Sequence, residues 1–431
     1  MSVVPVVLDA MKFNVDNVTI QKLGLRVLLN ISNNQTDFEA FVAADCVGII
    51  AEAMMYHPKD DAICNAAILL LAMITARGGD AWRTVQSNSA AVYAVINAML
   101  AFPENKKLLE DGMIIIYGLS DDAEGKDSLF NLGGVEALAQ AMRYNKDNIN
   151  VQAQGVKVFH RLLFDGERVL SSDSTLPRAV ISAVVCAMNA VIHLSSLQCE
   201  AVTLLRVLCS RDEVLVRLAL EYGALDALLS AAQVHADSAS VQVECFDFLH
   251  TLLTCVESCS LIASSNCIAV ILYGMAKHVK EKTVQETGTF CLRAMLSDKG
   301  CRSIIRRCGG LKTVMLTMSI YPNQVILQEN TLAIVSELWS DLADNDCNAF
   351  AIDSDINTIV NSIIGCPRSA DVQRLGCICL YNISKISLGN RAAIQRCSVL
   401  LADALISACE RFPQECSTLT CTLLEIIMDS S

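Results

Sequence analysis

Proline and glycine are scarce in this chain, with 7 and 20 of its 431 residues, and only 18% of the residues are charged. Hydrophobic residues make up 53%. This composition excludes an intrinsically disordered chain and a collagen-like chain. It predicts a folded protein that buries a large core.

Basic charge is also scarce, because 33 Lys and Arg stand against 46 Asp and Glu, a net charge of −13. A protein that reads duplex nucleic acid needs a basic face that displaces counterions from the phosphates. The sequence therefore predicts no nucleic-acid partner.

Uninterrupted apolar runs long enough to cross a bilayer are missing. The run 66–74 is shorter than the ~20 residues that a bilayer needs, and the run 179–194 is broken by polar residues such as Asn189. The first residues show no basic stretch before an apolar one and no small-residue cleavage site, so they predict no secretory leader. We therefore expect no membrane span and a cytoplasmic location, or a nuclear one.

Catalytic signatures are missing as well. The sequence has no Gly-rich phosphate loop, no G-x-S-x-G elbow and no H-E-x-x-H helix. The close cysteine pairs Cys255 with Cys259 and Cys377 with Cys379 have no histidine or further cysteine at zinc spacing. We predict no enzyme, no cofactor and no metal site. Several of the twenty cysteines lie in apolar helical patterns and are predicted to be reduced core residues, namely Cys64, Cys199, Cys209, Cys245, Cys377 and Cys421.

An internal repeat is the main positive signal. The segments 18–32, 149–163, 282–296 and 370–384 share an apolar residue, then glutamine, then glycine three positions later. Taking Gln21 as the first anchor position, equivalent positions recur every 43 to 46 residues. The later anchor positions are Cys64, Leu109, Gln152, Gln198, Gln242, Gln285, Gln328, Gln373 and Cys416.

Other positions keep the same period. The third residue after the anchor is small in nine of the ten repeats, with Leu419 as the exception, and the residues seven and ten positions after it are apolar. Positions 0, 3, 7 and 10 lie on one side of a helix, so each repeat is predicted to end in an amphipathic helix. The small residue is predicted to let another helix approach closely.

Prolines and glycines mark the boundaries inside each repeat. Prolines lie six residues before four anchors, at Pro58, Pro103, Pro322 and Pro367. Glycines lie nineteen residues before three others, at Gly133, Gly223 and Gly309. Since proline is excluded from helix interiors and glycine favours helix ends, each repeat is predicted to hold a short helix, a second helix of about ten residues, a turn and a long third helix.

This unit resembles the armadillo repeat, which has a GG-I-x-A-L start to its second helix and a V-Q-x-x-A/G start to its third. The turn at 142–148 is similar to the subtype found in leucine-rich-repeat kinases and armadillo-only proteins. The resemblance implies an all-α fold, a right-handed superhelical armadillo/HEAT-like α-solenoid of about ten three-helix repeats that fills residues 1–431 as a single domain. The predicted repeats are 1–32, 33–75, 76–120, 121–163, 164–209, 210–253, 254–296, 297–339, 340–384 and 385–431.

The resemblance also implies a binding mode, because armadillo proteins hold extended or helical partner segments in a concave groove lined by the third helices. In importin alpha an asparagine nine residues after the anchor pairs with the ligand backbone. Here only Asn30 and Asn382 fill that position, so the sequence does not favour binding of nuclear localisation signals.

Basic and aromatic residues fill the middle of the predicted groove, eight residues after the anchor, in a protein that is acidic overall. This pattern suits an acidic partner segment. The predicted groove site consists of Lys157, His160, Arg161, Arg206, His250 and Arg293. A second basic concentration lies between Lys277 and Lys312. The alternative is that all of these are ordinary solvated side chains.

The predicted function is that of a non-catalytic scaffold or adaptor for a protein partner. Two alternatives stay open, a regulatory subunit of a kinase or GTPase complex and a transport or chaperone-type cargo receptor. The last helix, 421–431, carries few charges, so the sequence also predicts a candidate homodimer contact through the C-terminal repeat.

Overall fold

The computed structural model describes residues 3–32, 46–164, 175–254, 266–340, 353–386 and 388–428. Within these ranges all regular secondary structure is helical, and there is no β-strand. The chain forms two compact units, one up to Ala227 and one from Leu228 onward. The predicted division into ten repeats of a single domain stays a prediction.

In the first unit the long third helices pack against one another in chain order, and the second helices form another row packed in the same order. The third helices are Val18–Ser32, Asp61–Arg77, Lys106–Leu119, Ile149–Leu163 and Ser195–Cys209. The second helices are Val3–Phe13, Cys46–Tyr56, Ser89–Ala101, Gly134–Tyr144 and Leu176–Ala190. Short first helices are Gly79–Gln86, Ala123–Asn131 and Glu213–Glu221.

The second unit repeats this arrangement. Its third helices are Ala239–Leu253, Lys282–Ala294, Val325–Ser340, Ala370–Ile386 and Pro413–Met428. Its second helices are Cys267–Lys277, Gly310–Ile320, Asp353–Gly365 and Ser398–Arg411, and its short helices are Lys299–Arg307 and Leu388–Arg396. A 3₁₀ turn spans Met295–Ser297, and the helix Ala224–Val234 begins in the first unit and ends in the second.

A glycine in the left-handed conformation precedes the second helix at the three positions where the sequence places a helix boundary. Gly133, Gly223 and Gly309 have φ angles of +84°, +81° and +79°. L side chains rarely adopt this conformation, so glycine allows the sharp turn from the short helix into the second one. The second helices then begin at Gly134, Ala224 and Gly310.

Polar caps fix the start of several third helices. In these repeats the residue four positions before the anchor is the N-cap, and its side-chain oxygen accepts a hydrogen bond from the backbone N–H three residues later. Examples are Asp60 with Ile63, at 3.2 Å, and Asn105 with Leu108, at 3.1 Å. Such caps satisfy a donor that the helix itself leaves open. The predicted prolines Pro58 and Pro103 fall in the turns just before these two caps.

The anchor glutamines are buried, and each one closes the turn of its own repeat. In all seven repeats that have glutamine at this position, its Nε2 donates to the backbone carbonyls ten and seven residues earlier, at 2.7 to 3.2 Å. Gln152, for example, bonds Met142 O and Asn145 O, both at 2.8 Å. One carbonyl belongs to the end of the second helix and the other to the turn, so the amide ties the second helix to the third.

We expect Gln152→Ala to lower the free energy of unfolding by about 1–3 kcal/mol, because it removes the donor to the buried Met142 carbonyl and one of the two donors to the Asn145 carbonyl. The measurement is urea unfolding together with hydrogen exchange of the amides in 134–163. Gln154→Ala, on the same helix but only half-buried, is the matched control. Equal effects of the two substitutions would contradict this role of the anchor.

The small residue three positions after the anchor makes room for one particular side chain. A Cβ added to Gly155 would lie 2.4 Å from Sδ of Met142, the residue ten positions before the anchor. Gly24 meets Met11 and Gly288 meets Met275 in the same way. The close approach that the sequence predicts is therefore between the second and third helices of one repeat.

Gly155→Ala is expected to destabilise the protein by about 1–3 kcal/mol, although alanine favours helix, because the new methyl group overpacks against Met142. In a Met142→Ala background, Gly155→Ala should lower the free energy of unfolding by less, or raise it. Thermal unfolding of the four proteins of this double-mutant cycle measures the coupling. Purely additive effects would show that Met142 does not set the size limit.

Neighbouring turns are linked to one another as well. The side chain seven positions before the anchor reaches a turn carbonyl of the preceding repeat, as in His57 to Val15 O in the first unit and His278 to Ala236 O in the second, both at 2.8 Å. Tyr321 Oη donates to Val279 O at 3.3 Å in the same way. These contacts fix the register between successive repeats within each unit.

Candidate partner-binding face

One side of most third helices is partly left open by the packing of their neighbours, as far as the structure describes them. We call the residues five, eight, nine and twelve positions after the anchor the third-helix face. After the anchor Gln152 this face holds Lys157, His160, Arg161 and Phe164, which lie on one side of the helix by their spacing. Lys157 and Phe164 are exposed, and the other two are half-buried.

Arg161 contacts the preceding third helix, Lys106–Leu119. Its guanidinium carbon lies 4.0 Å from the centroid of the Tyr117 ring, and its Nη2 donates to Tyr117 Oη at 2.5 Å. Its Nη1 forms an ion pair with the carboxylate of Asp121. The guanidinium is thus held by stacking, a hydrogen bond and a charge partner from the same chain.

His160 stacks on Phe164, with ring centroids 4.5 Å apart and an angle of 19° between the planes. The pair adds an aromatic surface beside the exposed Lys157. Arg206, the fourth residue of the predicted site in the first unit, is half-buried on Ser195–Cys209, the third helix that packs next to Ile149–Leu163.

His250 and Arg293 lie in the second unit, on the neighbouring third helices Ala239–Leu253 and Lys282–Ala294. The His250 ring centroid lies 6.0 Å from that of Phe290. Arg293 is exposed, and its Nη1 donates to Oδ1 of the buried Asn330 at 2.7 Å. The predicted site is therefore divided, with four residues in the first unit and two in the second.

Sequence reasoning missed the residues that hold the two arginines, Tyr117, Asp121 and Asn330. Tyr117 was visible at the eighth position after its anchor, but nothing in the sequence pairs it with Arg161. Asp121 and Asn330 occupy the twelfth and second positions, which carry no recurring residue type. No recurring spacing in the sequence pairs an arginine with either of these residues.

Part of the second basic concentration is committed to the fold. Arg302 is buried and donates to Leu296 O, and Arg306 Nη1 donates to Leu338 O at 3.0 Å. Lys277 forms an ion pair with Asp237 at 2.7 Å. The hydrogen bond between them raises the pKa of Lys277 and lowers that of Asp237. These contacts place two of the arginines at helix ends, whereas the basic residues at 280, 282, 299, 307 and 312 are exposed.

The cysteines of the described residues are free thiols, and most are buried. Burial raises the pKa of Cys209 and of Cys377 to about 12. The prediction that Cys421 is a core residue is wrong, because this thiol is exposed, as is Cys308. The pair Cys255 and Cys259 lies outside the described residues.

A pKa near 12 leaves about one thiol in ten thousand ionised at pH 8, and alkylation requires the thiolate. Iodoacetamide at pH 8 should therefore modify Cys308 and Cys421 in the folded protein and spare Cys209 and Cys377. Peptide mass mapping before and after unfolding in urea tests this. Modification of Cys209 as fast as Cys308 would contradict the burial.

Among the described residues no single helix is long and apolar enough to cross a membrane. Two helices, Gly389–Arg396 and Leu400–Arg411, together are long and apolar enough, but the chain bends by 85° between them. Leu400, Ile406 and Met428 are exposed on the last two helices, where the sequence predicts a homodimer contact.

A solved structure shares this architecture. It comes from work on a conserved phosphorylation switch that controls the interaction between cadherin and beta-catenin in vitro and in vivo. The likeness covers 99% of this chain and 91% of that one, with 14% sequence identity and a TM-score of 0.57. No protein-family model and no curated protein matches the sequence. Together with the helical repeats, the likeness shows an all-α, armadillo-like solenoid.

Proposed function

We propose that this protein is a non-catalytic scaffold or adaptor that binds an extended or helical, acidic segment of a partner protein along its third-helix face. The observation that carries the proposal is the cluster of Lys157, His160, Arg161 and Phe164. It presents cationic and aromatic groups side by side in a chain with a net charge of −13.

Physical chemistry supports this use of the cluster. Aromatic and arginine side chains carry most of the energy at protein interfaces, because they bury a large area and lose little entropy. A basic patch in an acidic protein attracts an acidic segment and repels other basic surfaces. The fold likeness agrees, since the similar structure comes from work on the interaction between two proteins, cadherin and beta-catenin.

The location and the absence of catalysis belong to the same proposal. We expect a cytoplasmic or nuclear protein without an activity of its own. The four first-unit residues would act as one contact region, and the pair His250 and Arg293 in the second unit as another. Many shallow contacts of this kind give affinity, and the placement of charge gives specificity.

The test is affinity capture with a variant that carries both Lys157→Glu and His160→Glu. Because two contacts of the partner turn repulsive, we expect its dissociation constant to rise roughly tenfold, measured by titration once the partner is captured. Lys146→Glu, an exposed lysine in the turn before the same helix, is the control. Circular dichroism must show the same helix content in all variants. Unchanged binding by the double variant would reject the groove site.

A further inference from the structure

The cation at the centre of the proposed site is already occupied by an acid of the same chain. Arg161 Nη1 contacts the Asp121 carboxylate, and it also lies 3.5 Å from Tyr117 O and from Ser120 Oγ. Arg161 is nine positions after its anchor, and Asp121 is twelve positions after the anchor of the preceding repeat. Both residues belong to the third-helix face, where a partner segment would lie.

This ion pair is open to solvent. The side chain of Asp121 is 61% exposed and that of Arg161 is 32% exposed. An exposed ion pair typically contributes only about 0.2–1 kcal/mol to stability. Salt screens the attraction further. A carboxylate from another chain can therefore replace Asp121 at small cost.

Asp121 is not needed to form the helices on either side. The helix Lys106–Leu119 ends at Ser120, and the next helix is capped by Asp122, whose Oδ1 accepts from Gly125 N at 2.8 Å. Asp121 lies in the turn between them. Its carboxylate can leave Arg161 without loss of either helix cap.

Arg161 keeps its orientation when Asp121 leaves. The guanidinium stacks on the Tyr117 ring at 4.0 Å, and Nη2 donates to Tyr117 Oη. A planar fork that is held in place presents its remaining donors to a carboxylate in a fixed direction and loses less entropy on binding. The position of Asp121 therefore marks where an incoming carboxylate binds.

We infer that Asp121 is an internal competitor that occupies the carboxylate subsite of the partner-binding face. An acidic residue of the partner displaces it and binds Arg161. Lys157, one helical turn earlier on the same face, takes a second acidic residue of the segment. This inference rests on the proposed function and adds to it a carboxylate subsite that the protein itself weakens.

Removing the competitor should strengthen binding. We expect Asp121→Asn to tighten the binding of a short fluorescein-labelled polyglutamate peptide about three- to fivefold, as expected for the loss of an exposed ion pair of the free protein. Fluorescence anisotropy at low salt is the measurement. Asp147→Asn removes the same charge from an exposed turn of the same unit and should change the affinity much less.

A double-mutant cycle separates competition from a change in net charge. In an Arg161→Gln background, Asp121→Asn should no longer strengthen binding, because the subsite is gone. The competitor role is overturned if Asp121→Asn raises the affinity for the peptide no more than Asp147→Asn does. It is also overturned if Asp121→Asn raises the affinity equally with and without Arg161. Thermal unfolding should show little difference between Asp121→Asn and the wild-type protein.

The outcome also distinguishes the two proposals. If Lys157→Glu weakens binding of the peptide and Asp121→Asn leaves it unchanged, the competitor role of Asp121 is rejected and the site for an acidic segment is kept. No binding of the peptide to the wild-type protein or to Asp121→Asn would reject both. Tighter binding by Asp121→Asn alone, lost with Arg161→Gln, is the result we expect.

Discussion

The buried glutamine at the anchor position is the interaction on which the repeat depends. One side-chain amide donates to two carbonyls, one at the end of the second helix and one in the turn, so it fixes how the third helix leaves the turn. Without the amide the Met142 carbonyl would be buried without a donor, which destabilises a fold, whereas the Asn145 carbonyl also accepts from Asn148 N at 3.0 Å. Since the third helices carry the exposed face, the amide also decides which side chains reach solvent. The repeats with Cys64 or Leu109 at the anchor lack this amide and keep the turn through their caps.

Packing around the anchor explains a second regularity of the sequence. A methionine ten positions before the anchor lies over a glycine three positions after it, as with Met142 and Gly155. In the repeat with anchor Gln242, the residue ten positions before the anchor is the small Ala232, and the residue three positions after it is Cys245. Both are buried. The two positions share one volume, so a change of size at one position changes the packing at the other. The recurring glycine is therefore a property of a residue pair within one repeat.

The sequence was sufficient for the fold because its signals are periodic. Helix type, the turns at proline and the glycine before three of the second helices all follow from spacings along one chain, and the structure has these glycines at Gly133, Gly223 and Gly309. It was insufficient for the site, because side-chain contacts between repeats depend on the offset of neighbouring helices. The pairing of Arg161 with Asp121 and of Arg293 with Asn330 joins positions that have no common spacing. The sequence was enough to predict the face, but it was not enough to predict which of the charged side chains on that face are paired with other residues of the chain.

Some basic side chains of this acidic protein are paired with acidic residues of the same chain, and this pairing affects which partner segments can bind. A basic side chain on a surface with a net charge of −13 readily meets an acid of the same chain, as Arg161 meets Asp121 and Lys277 meets Asp237. A partner must then compete with an intramolecular acid, which is always present at high effective concentration. One carboxylate is a poor competitor under these conditions. A segment with several acidic residues, spaced to reach Arg161 and Lys157 together, overcomes that competition through simultaneous contacts, so the internal acids select for a run of charge over a single acidic residue.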